Sequence, residues 1–312
     1  MRKKCLETIF RLAKKNKKIL FVGSDLGPGV LEEFKRKYPE RFFMEGVSEQ
    51  AIVGIAAGMA MEGYIPFVNT ISTFLTRRCF EQIVVDLCLH NLPVKLVGNG
   101  GGLVYAPLGP THQSIEDLSI LRVIPNISII APCDAVEMEM LVKESISHIS
   151  PLYIRIARGG EKVISNKTEV FKIGKGILKR KPGKFLFIST GVMTQKTLNA
   201  AEELEKNEGI TCGVLHLATV KPLDKKILRT LIPDVERIIT VEENVLAGGF
   251  GSSILEFTSN NFPEHLKKIS RFGLSDKFID QYGTQDQLCK ENGLTSKNLY
   301  DFVKKIQTQN LF

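Results

Sequence analysis

Short runs rich in β-branched and aromatic residues alternate along this chain with segments of helical length, and that alternation constrains the fold more than any other feature. "KKILFVGSD" (17–25), "RFFMEG" (41–46), "IPFVNT" (65–70), "PVKLVGNG" (93–100), "ISIIAP" (127–132) and "LYIRIA" (152–157) are mostly apolar, as strands covered on both faces must be. Segments such as 134–148 supply helices between them, so the pattern predicts a parallel sheet wound with helices. Over 161–184 the chain turns basic, glycine-bearing and weakly periodic, which reads as an interdomain link able to carry a strand of its own. The strand pattern resumes in "FLFIST", "TCGVLHLA" and "ERIITVEE", with the helical "QKTLNAAEELEKN" between the first two. The expected fold class is therefore α/β with two domains, 1–160 and a smaller 185–312, each a mostly parallel sheet flanked by helices.

The 312 residues carry a net charge of +8, but the basic residues are spread along the chain rather than gathered around exposed aromatics, which argues against nucleic-acid binding. The densest basic run is at the start, where Leu6, Ile9, Phe10 and Ala13 recur at helical spacing and predict an amphipathic helix with a solvated basic face. No apolar run is long enough to span a membrane and the start lacks the apolar core of a secretion signal, so the expected location is the cytoplasm, with no membrane partner. Six scattered cysteines without C-x-x-C spacing suggest neither a zinc site nor a disulfide framework; no metal ligands are assigned.

Four stretches carry candidate chemistry. In "EGVSEQAIVGIAAGMA" (45–60) a helix is expected to start at Ser48, with Glu49 just inside it at the positive helix end. Ala51, Gly54, Ala57 and Gly58 leave a surface with little bulk, suited to a subunit interface, where a poorly solvated carboxylate would favour its neutral form. "STFLTRRCFEQIVVDLCLHN" (72–91) reads as a helix with Phe80, Ile83, Val84 and Leu87 at core spacing and with Phe74 and Arg77 in its entry turn. Arg77, in a loop after a strand, is suited to hold a phosphate or carboxylate. "NGGGLVYAPLGPTHQSIEDLSILR" (99–122) is a long glycine- and proline-bearing connection of the kind that holds ligands, ending at His112 before a helix that Ser114 could start. In "PLYIRIARGGE", Arg158 at the strand's carboxyl end is the better anion-binding candidate and Arg155 is expected to face solvent; "VEENVLAGGFGSSILEF" reads as a structural turn into a helix.

In this order "EGVSEQ", "STFLTRRCFEQ", "GPTHQSIEDLSILRVIP", "APCDAVE", "RIARGG" and "VKPLD" with "VEENVLAGGFGSS" resemble the C-terminal two-thirds of the transketolase family, which includes deoxyxylulose-phosphate synthase, and the β subunits of 2-oxo-acid dehydrogenases. The resemblance implies a pyrimidine-binding domain followed by a transketolase C-terminal domain, with thiamine diphosphate and Mg²⁺ as cofactors. It implies that Glu49 bonds N1′ of the aminopyrimidine, that Phe74, with Phe80, contacts that ring, and that His112 assists proton transfer at the substrate. Arg77 and Arg158 resemble the phosphate-binding arginines of the deoxyxylulose-phosphate branch.

The G-D-G motif that holds the metal and diphosphate in complete enzymes is absent from this sequence. The expected partner is therefore a separate N-terminal subunit bearing G-D-G, in an α₂β₂ assembly that acts on small sugars. Most relatives have an aspartate where this chain has Leu108, and transketolases have a histidine where it has Gly100, which predicts an acceptor lacking a hydroxyl at that place, such as a deoxysugar. Ketol transfer between sugars is the expected activity. Decarboxylation of a 2-oxo acid such as pyruvate and a non-catalytic scaffold role are the alternatives.

Overall fold

The computed structural model describes residues 1–23, 31–166 and 168–308. Twelve strands form among them, all but three within or overlapping the runs anticipated above: β1 (Ile19–Gly23), β2 (Phe42–Met44), β3 (Ile65–Ile71), β4 (Lys95–Asn99), β5 (Ser128–Ile130), β6 (Leu152–Ile156), β7 (Ile177–Arg180), β8 (Phe185–Ser189), β9 (Cys212–His216), β10 (Thr219–Lys221), β11 (Arg237–Val245) and β12 (Ile269–Leu274). Ser24 and Asp25, the end of the first run, lie outside the described residues. Two sheets result, in the orders β10-β5-β6-β4-β3-β1-β2 and β12-β11-β8-β9-β7. Pairing is parallel except at one edge of each sheet, where β10 runs against β5 and β7 against β9. The interiors of β1, β4, β5, β6, β8 and β9 are buried throughout, the burial that near-continuous apolar runs require.

The sequence reading anticipates two separate sheets, but the chain interlocks them. β10 follows β9 of the second sheet after two residues and yet extends the first. One core cluster runs from Val22, Ile52 and Leu96 through Leu118 and Ile129 to Leu186, Leu215, Phe250 and Ile254, so the two halves share apolar packing. The segment 161–184 contributes β7 to the second sheet.

The basic amphipathic helix is present as Arg2–Lys15, with Leu6, Ile9, Phe10 and Ala13 buried. Its cationic face is partly neutralised, because Glu139 takes both Lys4 and Arg11. The helix Ala135–Glu144 begins on a built cap, Asp134 accepting from the N–H groups of Val136 and Glu137. No helix among the described residues is long and apolar enough to cross a membrane.

Candidate active site

β3 ends at Ile71, and the chain then winds through a π-helical turn, Phe74–Arg78, and a second, Ile83–Leu89, on either side of one short α-helical turn. The stretch 72–91 is thus not the regular helix its apolar spacing suggests. Wide turns of this kind place side chains where an α-helix would not, and they recur at functional sites. Here the Arg78 guanidinium lies over the Phe74 ring, 4.6 Å from its centroid. Phe80 is half-buried and packs on the main core cluster.

Glu49 opens the helix Glu49–Met61, whose next turns bury Ile52, Val53, Ala56 and Ala57. Ser48 precedes it without capping it; its hydroxyl donates instead to the Glu45 carbonyl. The Glu49 side chain is 2% exposed, and its Oε2 accepts from Arg78 Nη1 at 2.6 Å. A carboxylate expected among apolar and tiny neighbours therefore has a cation against it. The sequence reading missed Arg78; its signal was the second arginine of "TRR", four residues after Phe74.

His112 completes the group from the long connection. Its ring meets Phe74 edge-on at 5.1 Å and 65°. The Thr73 hydroxyl donates to the His112 carbonyl at 3.0 Å, and Nδ1 lies 2.9 Å from the Thr111 hydroxyl. Glu49, Arg78, Phe74 and His112 are therefore contiguous, although they come from three separate stretches of sequence. Arg77 faces elsewhere: it pairs with Glu116 and donates to the Gln113 carbonyl at 3.0 Å. It borders a cavity of about 600 Å³ with Ile115, Val245, Lys277 and Phe278. Leu108 is 48% exposed, and Arg158 is exposed without a hydrogen bond or ion pair among the described residues.

Beneath this group lies a buried network that the sequence did not announce. Arg155, expected at the surface, is 7% exposed; it grips Asp117 through Nε and Nη2 and donates to the carbonyls of Ser114 and Glu243. The Tyr153 hydroxyl donates to Asp117 at 2.8 Å and lies 2.6 Å from Ser72 Oγ, which in turn is 2.6 Å from Ser114 Oγ. Burial alone would lower the Arg155 pKa, but Asp117 and Glu243 raise it overall; Tyr153 is raised well above its ordinary value by burial and by Asp117. Ser72 stands two residues before Phe74, so this network fixes the turn that carries the ring.

The glycines read as a ligand loop serve the same network. A Cβ on Gly101 would collide with Arg155, and one on Gly102 would sit 2.6 Å from the Glu243 carboxyl carbon. Ser114 starts no helix; it bridges back to Gly101 and Gly102, and the helix begins at Asp117. The later glycine turn is filled from within, Glu242 accepting from the N–H groups of Phe250 and Gly251.

A buried carboxyl group beside an aromatic face, with an imidazole at the ring's edge, suits a planar heteroaromatic ring whose nitrogen shares a proton with the acid, accepting from its neutral form or donating to its anion. Arg78 acts as a stand-in for such a group: a planar, delocalised donor that bonds Glu49 and stacks on Phe74. By this observation the residues fit an aminopyrimidine.

Residues 1–160 match the family model "Transketolase, pyrimidine binding domain", and residues 174–299 match "Transketolase, C-terminal domain". Over 295 residues the chain is 37% identical to a 1-deoxy-D-xylulose-5-phosphate synthase of Clostridium perfringens, covering 94% of this chain and 47% of that protein. A 1-deoxy-D-xylulose-5-phosphate synthase of Caldanaerobacter subterraneus subsp. tengcongensis is 38% identical over 300 residues, covering 95% of this chain and 47% of that one. The chain thus spans about half the length of these curated relatives. A solved structure described as a split gene transketolase, inactive beta4 tetramer, superimposes with a TM-score of 0.89 at 32% identity, covering 98% of both chains.

Proposed function

Since the chain belongs to the transketolase family, carrying its pyrimidine-binding and C-terminal domains, we propose that it is one subunit of a split thiamine-diphosphate-dependent transketolase. In this reading it moves a two-carbon ketol unit from a ketose to an aldehyde. The observation that carries the reading is the contiguity of Glu49, Phe74 and His112, with the Arg78 guanidinium bonded to the carboxylate and stacked on the ring. Thiamine diphosphate, when bound, supplies a thiazolium that stabilises the carbanion released from the donor.

This chain's residues would do the rest. Glu49 holds a proton at the pyrimidine N1′, Phe74 offers its face to that ring, and His112 passes a proton to or from the substrate oxygen. The diphosphate and Mg²⁺ fall to a partner subunit with a G-D-G motif, in an α₂β₂ assembly. The likeness to a chain whose β₄ assembly is described as inactive supports such dependence on a partner.

A second reading, decarboxylation of pyruvate or another 2-oxo acid followed by transfer to an aldehyde, is favoured by the synthase relatives. Against the phosphate-binding role this reading gives Arg77, that arginine is already held by Glu116. The test is to co-express the chain with the G-D-G-bearing chain that co-purifies with it and to compare a ketose phosphate with pyruvate as donor. Turnover with the ketose alone supports the transketolase reading, turnover with pyruvate the second. Activity that survives Glu49→Gln in full would sink both and bring the scaffold role forward.

A further inference from the structure

Away from this group, three side chains whose types commonly bind metals converge between the two sheets. Cys133 lies in the loop after β5, Glu137 one helical turn later in Ala135–Glu144, and His216 at the end of β9. One ligand atom from each falls within 4.8 Å of the others, and the residues are 2%, 1% and 0% exposed respectively. We propose that Cys133, Glu137 and His216 form a binding site for one zinc-type divalent cation that ties the two domains together.

The donor set carries the choice of ion. A thiolate, an imidazole and a carboxylate are the usual ligands of Zn²⁺, whereas Mg²⁺ selects oxygens in an octahedron. The site is also built around its ligands. The Cys133 N–H donates to Glu137 Oε2 at 2.7 Å and fixes that carboxylate. Glu137 Oε2 lies 2.8 Å from His216 Nε2, and His216 Nδ1 lies 2.7 Å from the Thr194 hydroxyl. Ser165 Oγ, 3.6 Å from Cys133 Sγ, or a water completes four positions.

The protons balance. Ser189 donates to Thr194 Oγ1 at 3.0 Å, which leaves the Thr194 proton able to reach Nδ1 of a neutral His216 whose own proton is on Nε2, facing Glu137. Cation binding moves that proton to Nδ1, where the Thr194 oxygen accepts it, and releases the Cys133 thiol proton to solvent. Two positive charges then meet one thiolate and one carboxylate, a neutral complex that burial tolerates. Without the cation, burial and the neighbouring Glu137 and Asp134 push the thiol far above its ordinary value. A bound dication reverses that balance and deprotonates the thiol. The Thr194 hydroxyl then orients the ligating imidazole from behind.

The test is a Co²⁺ titration of the full, metal-stripped chain, independent of any catalytic assay. One equivalent is expected to raise a thiolate-to-cobalt charge-transfer absorption that Zn²⁺ abolishes and Mg²⁺ does not. Cys133→Ser should remove that band, His216→Asn should weaken binding at least tenfold, and Thr194→Val should weaken it about 10–100-fold. No band, or one unchanged in Cys133→Ser, overturns the site. Should the variants fail to fold, thiol alkylation of the unsubstituted chain in mild urea decides: Zn²⁺ must slow modification of Cys133 beyond that of the other five cysteines, and no protection of Cys133 overturns it.

Discussion

Arg78 Nη1 donates to Glu49 Oε2 at 2.6 Å across a gradient of exposure, the carboxylate being 2% and the arginine 44% accessible. The acid is therefore fixed while the cation can swing into water. Glu49→Gln leaves Arg78 an oxygen to bond, so the melting temperature should change by only a few degrees, while turnover by the assembled enzyme falls about 100-fold or more. Arg78→Met takes the guanidinium away from the carboxylate and from the ring face. It should tighten thiamine diphosphate binding to the complex several-fold by calorimetry, and weaker binding would make Arg78 part of the cradle instead.

Asp117 and Arg155 should dominate stability near the site. Their side chains are 0% and 8% exposed and their contact is bidentate. Removing one partner strands the other, so Asp117→Asn and Arg155→Met should each cost about 3–5 kcal/mol in urea unfolding followed by circular dichroism. The double variant Asp117→Asn/Arg155→Met should lose less than the sum of the two single variants. Equal and additive losses would mean that the two residues act separately.

Most strand positions and much of the core were legible because buried parallel strands write themselves as unbroken apolar runs, as in "ILFVG" and "LYIRI". Glu49, Phe74 and His112 were legible as individual residues, and the structure brings them together. Arg155 was not. Alternation inside a strand shows which face a residue takes, but not that both faces are covered or that a distant Asp117 waits to neutralise a charge. The same blindness to long-range partners hid Arg78 opposite Glu49 and His216 opposite Glu137, which lie 29 and 79 residues apart. The edge strand β10 escaped because its three residues carry too little periodicity to assign to a sheet.

Glu242 should give the fold a pH signature. Burial pushes its carboxyl up from 4.5 to about 7, against the pull of the Gly251 and Phe250 N–H groups and of Arg155 and Arg271. Because the folded-state value is raised, the folded chain holds the proton more tightly than the unfolded one. This contribution is then complete below about pH 4.5 and is lost as the pH rises through about 7, a loss of about 3 kcal/mol. Unfolding free energies measured in steps from about pH 5 to about pH 8 should show the decline in the unsubstituted chain and not in Glu242→Gln. Parallel profiles would show that Glu242 stays charged at the helix end.

Leu108 should govern the choice of acceptor rather than the fold. At 48% exposure, in the connection that leads to His112, its replacement removes little buried area, so Leu108→Asp should shift stability by no more than about 0.5 kcal/mol. A leucine accepts no hydrogen bond, and an acceptor hydroxyl desolvated against it would lose about 1–3 kcal/mol. In the assembled enzyme, the unsubstituted chain should therefore prefer the deoxy member of a matched pair of aldehydes by about 5- to 150-fold in kcat/KM, with Leu108→Asp shifting the ratio toward the hydroxylated member. A preference for the hydroxylated aldehyde while Leu108 is in place would mean that this side chain lies outside the acceptor's path and that the missing aspartate leaves the substrate's hydroxyl pattern undetermined.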